Sequence, residues 1–157
     1  MKNVKTITQA AIIAALYAVL TFIANAMGLA NGVIQVRISE ALTILPFFTP
    51  AAIPGLFVGC LLSNLITGAA IWDIIFGSLA TLIGAIGTYY LRKHKWLAPI
   101  PPILSNAIIV PLVLIYAYRV TDALPFLIFT VGIGEVISAG LLGMILLKSL
   151  EKHKDIF

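Results

Sequence analysis

Of the six acids in this chain, Glu135 is the one most exposed to a chemical explanation. It sits inside the apolar run Val131-Gly132-Ile133-Gly134-Glu135-Val136. A charged side chain at the centre of a bilayer costs about 2.5–3.5 kcal/mol even on the lenient insertion scale. Such a residue either bonds to a neighbouring helix or lines a polar cavity and accepts hydrogen bonds from a ligand. The two flanking glycines let a helix or a ligand approach closely. Asp73 follows Trp72 at the start of another apolar segment, where it reads as a helix cap or as one wall of a site. Trp72 fits an interfacial anchor or a stacking surface for a flat ring. Arg37 and Glu40, in Val36-Arg37-Ile38-Ser39-Glu40-Ala41, read as a local ion pair at a helix start or as a charged lid. Asn64 carries both donor and acceptor groups, which suits the edge of a heterocycle as well as an interhelical bond. Thr67, near it, adds to the same face. Asn106 fits a structural bond, and Tyr116 fits an interfacial belt.

These groups need elements to hold them. The chain has 157 residues, 61% apolar and only 10% charged, with a mean hydropathy of +1.11. That composition excludes a soluble domain and implies one membrane domain over 1–157. Four uncharged stretches stand out: 6–27, 74–91, 96–118 and 123–147, the last broken only by Glu135. The stretch 41–72 is too long for one ordinary span: as a single helix it would extend about 48 Å, against a hydrocarbon core of about 30 Å. Pro46, Pro50 and Pro54 break its first half. The predicted helices are therefore 6–27, 40–48, 52–69, 73–91, 99–118 and 124–148, an all-α bundle of six transmembrane helices. Ala24-Asn25-Ala26 resembles a signal-peptidase site, but 6–27 is long enough to span and reads as a retained helix.

Charge gives the expected orientation. With six crossings, eight of the ten Lys and Arg residues fall on one side: Lys2, Lys5, Arg92, Lys93, Lys95, Lys148, Lys152 and Lys154. Arg37 and Arg119 fall on the other. Cytoplasmic loops collect Lys and Arg, so both termini are predicted to be cytoplasmic, in a multi-pass protein of the cell membrane. The net charge of +4 sits at helix ends, which suits anionic lipid rather than nucleic acid. No phosphate-binding Gly-x-x-x-x-Gly-Lys-Ser/Thr loop occurs. His94 and His153 lie in basic segments far from the intramembrane acids, so neither a metal site nor a catalytic triad is indicated. No cofactor is expected, and nothing presents a nucleophile beside a base. In the first helix, Ala10, Ala14 and Ala18 repeat every four residues with Ala11 and Ala15 beside them. This small-residue ridge suits internal packing or docking of another membrane protein.

The alanine ridge, the Arg37–Leu42 segment, the stretch from Ser63-Asn64 to Asp73 followed by Gly77-Ser78-Leu79-Ala80-Thr81, and Gly134-Glu135 together resemble the queuosine-precursor transporter (QueT) family. The resemblance covers essentially the whole chain. It implies a substrate-binding S component of an energy-coupling factor importer, with six helices around a cavity open to the outside. It further implies that the alanine ridge docks on a transmembrane T component, which couples to two cytoplasmic ATPase subunits. The implied ligand is a deazaguanine base, queuine or one of its precursors. On this resemblance Glu135 would accept the paired donors of a guanine-like edge, Asn64 would read the rest of it, Trp72 or Tyr116 would stack, and Asp73 or Glu40 would meet a cationic side arm. Two other readings stay open: a stand-alone proton-coupled transporter of a small heterocyclic solute, with Glu135 as the carrier, and a membrane scaffold without a ligand.

Overall fold

The computed structural model describes residues 2–29 and 34–153, and every element among them is helical. The elements are α1 (Lys2–Ala26), a 3-10 helix (Ile38–Phe47), α2 (Ala52–Ile66), α3 (Ile71–Tyr90), α4 (Ile100–Tyr116), α5 (Leu124–Glu135), a π-helical segment (Val136–Leu142) and α6 (Gly143–Glu151). From Leu124 to Glu151 the last three form one continuous rod. Three helices are long and apolar enough to cross a membrane: Asn3–Ala26, Ile71–Tyr90 and Leu124–Glu151. Ile38–Phe47, Ala52–Ile66 and Ile100–Tyr116 are apolar but shorter. Large apolar side chains cover the outside, including Ile7, Val19, Ile83, Leu104, Ile108 and Phe129. A water-exposed surface rarely tolerates so much contiguous apolar area, and a lipid-facing one requires it.

One element differs in kind from its sequence expectation. The segment predicted as an α-helix over 40–48 is a 3-10 helix that starts at Ile38. Pro46 removes an amide donor within it, and the Thr43 hydroxyl donates to the Glu40 carbonyl at 2.6 Å. At about 2.0 Å per residue, the tighter coil covers about 20 Å where an α-helix would cover about 15 Å. Ser39 through Pro46 are all buried, so this short coil forms the centre of the bundle. It packs against α1, α3, α6 and the π-helical segment.

Small residues let the rods close around it. Gly55 and Gly59 of α2 meet Ala10 and Ala14 of α1: a Cβ on Gly55 would lie 2.7 Å from the Ala10 carbonyl oxygen, and one on Gly59 would lie 2.9 Å from that of Ala14. This is small-residue packing of the kind that joins membrane helices. Gly84 and Gly87 of α3 serve the same purpose against Pro102 and Pro101 of α4. Around these seams lies a core of Ile13, Tyr17, Leu42, Leu45, Leu56 and Cys60.

The two ends of the bundle differ. At one end, the Gln9 side-chain carbonyl accepts from the Thr49 hydroxyl at 3.2 Å, and Lys95 pairs with Glu151 at 3.6 Å. That end also carries Arg92, stacked on Tyr89, and Lys148 over Trp96. The Lys2 side chain and Lys154 lie outside the described residues, as do residues 30–33 of the connection between α1 and the 3-10 helix. At the other end, Arg37 and Arg119 are the cations, and the helix termini open around a hollow.

Candidate functional site

The hollow is built where helices stop. Tyr17, Thr21 and Asn25 of α1 are spaced one turn apart and so present one polar face. The end of α2 adds Ser63, Asn64 and Thr67. Its helix terminates at Gly68, in the left-handed conformation at φ +73°. The Ala69 amide donates to the Asn64 carbonyl and the Gly68 amide to that of Leu65, the Schellman pattern. This turn carries the chain straight into Ala70 and the first turn of α3, which holds Asp73. Gln35, Arg37 and Ser39 come from the strap ahead of the 3-10 helix, and Leu114, Tyr118 and Val120 from the end of α4. Together they line a cavity of about 510 Å³, within the range of small-molecule sites.

Its charged groups are Arg37 and Asp73. Asp73 is 7% exposed. The Tyr118 hydroxyl donates to its Oδ2 at 2.9 Å and accepts the Ala70 amide at 3.1 Å, which fixes the ring between the two. The other oxygen, Oδ1, is buried without a hydrogen-bond partner among the described residues. It lies over Gly77, where a Cβ would come within 2.8 Å of it. The Arg37 backbone amide donates to Ser138 Oγ at 3.1 Å, while its guanidinium makes no hydrogen bond or ion pair among the described residues. Asn64 Nδ2 donates weakly to the Asp73 carbonyl at 3.4 Å, and Thr67 donates to the Ser63 carbonyl at 2.7 Å.

Of the residues singled out in the sequence, Asn64, Thr67, Asp73 and Arg37 are therefore brought together on the cavity wall. Glu40, Asn106 and Glu135 form a second, deeper group. Glu40 is 1% exposed; it accepts the Tyr17 hydroxyl at Oε1 and Asn106 Nδ2 at Oε2, 3.2 Å away. Glu135 is 4% exposed, with Oε2 lacking a partner among the described residues. It does not line the cavity, because the strap crosses the last rod just beside it. A Cβ on Gly134 would lie 2.1 Å from the Gln35 carbonyl oxygen, so the backbone of the strap rests directly on that glycine. Trp72 is 54% exposed and stacks on Phe76 at 6.0 Å, away from the cavity lining. Tyr116 is 72% exposed and is also outside it. In α1, Ala10 and Ala14 face α2, Ala18 is half-buried, and Ala11 and Ala15 are exposed.

Sequence reasoning did not single out Tyr17, Thr21, Asn25, Gln35 or Ser39 as site residues. The turn-by-turn spacing of Tyr17, Thr21 and Asn25 in an otherwise apolar helix is the signal that could have found them. Nothing in the sequence marks Gln35 or Ser39 apart from their place beside Arg37.

An all-helical bundle with a lipid-compatible exterior and a polar, charge-bearing cavity among its helix ends defines a membrane protein equipped to hold a small polar solute. Comparison with known proteins narrows that class. A family model described as QueT transporter matches residues 7–152, and the chain belongs to that family. It is 39% identical over 85 residues to the queuosine precursor transporter QueT of Lactococcus lactis subsp. cremoris (strain MG1363). The aligned stretch covers 53% of this chain and 50% of that relative, so the chain spans about half the length of the curated relative it matches. No solved structure matches the chain.

Proposed function

We propose that this protein is the substrate-binding subunit of an energy-coupling factor importer and that it takes up a deazaguanine precursor of queuosine. The observation that carries the reading is the polar cavity lined by Arg37 and Asp73, at the end of the bundle away from most of the Lys and Arg residues. By the preference of basic residues for the cytoplasm, that mouth faces outward. Both termini are then cytoplasmic, and the six helical rods cross six times, with the 3-10 helix and its flanking turns as the shortest crossing. The name of the Lactococcus relative supplies the substrate class. The cavity volume accommodates a bicyclic base, and its hydroxyls and amides from Thr21, Asn25, Gln35, Ser63 and Asn64 suit a solute polar around its whole rim.

Transport energy comes from partners on this reading. Ala11 and Ala15 lie on the exposed side of α1, which makes that face the docking surface for a transmembrane T component. Ala10 and Ala14 are engaged with α2 and would support that face from behind. Two cytoplasmic ATPase subunits would complete the importer. The chain itself performs no catalysis.

The test is calorimetric titration of the purified protein with queuine and with 7-deazaguanine, followed by uptake in proteoliposomes with and without the T component and ATPases. Tight binding by the chain alone, with uptake only in the full assembly, is the expected result. A second reading is favoured by the neighbouring buried acids Glu40 and Glu135, the latter with an oxygen that lacks a partner among the described residues: a stand-alone carrier that moves solute with a proton. Uptake by the chain alone, driven by an imposed pH gradient, would establish that reading and displace the first.

A further inference from the structure

Resting on the reading above that the cavity takes a deazaguanine, we infer that Arg37 and Asp73 divide the reading of its edge: Arg37 takes the 6-oxo group and Asp73 takes the N1–H and the 2-amino group. Two opposite charges share one cavity without a direct ion pair between them among the described residues, where the ion pair is Lys95 with Glu151, at the opposite end. Each is held by its own support. The Arg37 backbone is tied to Ser138 on the last rod, and the preceding Gln35 carbonyl rests on Gly134. Asp73 is held in the first turn of α3 by Tyr118 at Oδ2, while Oδ1, buried over Gly77, has no donor among the described residues. Neither support brings the two charges into direct contact, so a solute between them can engage both.

The polarity of that requirement is fixed. A guanidinium offers only donors and a carboxylate only acceptors. The solute must therefore turn an acceptor towards Arg37 and donors towards Asp73. A 2-amino-6-oxo ring carries this sequence along one edge: the 6-oxo acceptor, the N1–H donor and the 2-amino donor. A 6-amino ring of the adenine type reverses it at both places, with its 6-amino group against Arg37 and its bare N1 against Asp73. A 2,6-dioxo ring of the xanthine type satisfies Arg37 but turns a carbonyl towards the carboxylate. The Asn25, Gln35 and Asn64 amides offer either polarity and impose no choice of their own.

The experiment has two arms. In the first, the wild-type protein in nanodiscs is titrated by calorimetry with 7-deazaguanine, 7-deazahypoxanthine, 7-deazaxanthine and 7-deazaadenine. Removing the 2-amino group should weaken binding roughly 10-fold or more, and the xanthine and adenine types should bind weaker still. In the second, Asp73→Asn replaces one acceptor oxygen by an amino donor. It should weaken 7-deazaguanine binding roughly 10- to 100-fold while raising the affinity for 7-deazaxanthine relative to it. Wild-type protein that binds 7-deazaguanine but does not distinguish it from 7-deazahypoxanthine overturns the division of roles and leaves the proposed function standing. Wild-type protein that binds none of the four, nor queuine, overturns both. The first arm needs no variant, so misfolding of Asp73→Asn cannot shelter the inference.

Discussion

The seating of the strap on Gly134 makes Gly134→Ala the sharpest perturbation available. The new Cβ would lie 2.1 Å from the Gln35 carbonyl oxygen and 3.1 Å from its carbonyl carbon. A relaxed non-bonded contact is about 3.5 Å, so the backbone must retreat by roughly 1.4 Å at that point. No side chain can absorb this, since the obstructing atoms are main chain. Overpacking of this kind costs about 1–3 kcal/mol. Lifting the strap also stretches the hydrogen bond from the Arg37 amide to Ser138 Oγ, now 3.1 Å, which contributes about 1 kcal/mol. Gln35 and Arg37 both leave their places on the cavity wall. Losing one charged hydrogen bond to the ligand amounts to about 1.5–3 kcal/mol, so affinity for a deazaguanine should fall roughly 10- to 100-fold. The thermal midpoint should drop by about 2–10 °C. Calorimetric titration and a melting curve read the two effects. Gly132→Ala is the matched control, because its Cβ would meet Ala107 at an ordinary 3.9 Å and should change neither. Wild-type affinity in Gly134→Ala, or equal damage from Gly132→Ala, would refute the claim that the strap is seated on this glycine.

Three further outcomes follow from the same packing. Glu40→Ala strands the Tyr17 hydroxyl and Asn106 Nδ2 in a dry interior, at about 1–3 kcal/mol for each unsatisfied donor; Glu40→Gln keeps one acceptor and should unfold at a temperature between the alanine variant and the wild type. Gly59→Val places a Cβ 2.8 Å from Tyr17 Cβ and 2.9 Å from the Ala14 carbonyl oxygen, so α1 and α2 must separate. Its melting point should fall by more than that of Gly140→Ala, whose added carbon would meet nothing nearer than 3.5 Å. Trp72→Ala removes a ring that stacks on Phe76 outside the cavity lining, and ligand affinity should stay within about twofold of wild type.

The membrane class was legible in the sequence because hydrocarbon imposes so few options: a spanning backbone must close its hydrogen bonds within helices or a barrel, and uncharged runs of about 20 residues mark the helical choice. The form of the second element was not legible. Hydropathy and proline positions mark roughly where Ile38–Phe47 begins and ends, but the choice between α and 3-10 depends on how far these ten residues, eight of them buried, must reach between α1 and α6. That distance is a property of the assembled bundle. Among the candidate site residues, Asn64, Thr67 and Asp73 were legible as polar groups at a helix end and a helix start. Glu135 was legible as an anomaly in an apolar run. What the sequence does not carry is that the strap runs over Gly134, since that contact joins residues about a hundred positions apart.

That contact also changes the meaning of the Gly-x-Gly-Glu run. Read alone, the glycines beside Glu135 open space for a ligand at the carboxylate. In the folded chain Gly134 gives its space to the Gln35 carbonyl, and Ser138, one turn on in the π-helical segment, accepts the Arg37 amide. A π turn displaces side chains from the α-helical register, and here Ser138 meets a strap that has already been positioned by Gly134. The two attachments aim Arg37 at the cavity while Glu135 stays beneath the strap. The acids then sort into two layers. Asp73 lines the cavity, whereas Glu40 and Glu135 share deeper surroundings: Asn106, Tyr17 and the Arg37 charge. A solute that engages both Arg37 and Asp73 therefore joins the strap to α3, the two sides of the mouth that no direct ion pair joins among the described residues. Occupancy should for that reason slow hydrogen exchange at the Arg37 and Ile38 amides more than at those of α2. Slowing confined to α2, with none at Arg37 and Ile38, would mean that the solute sits against α2 and leaves the strap unengaged.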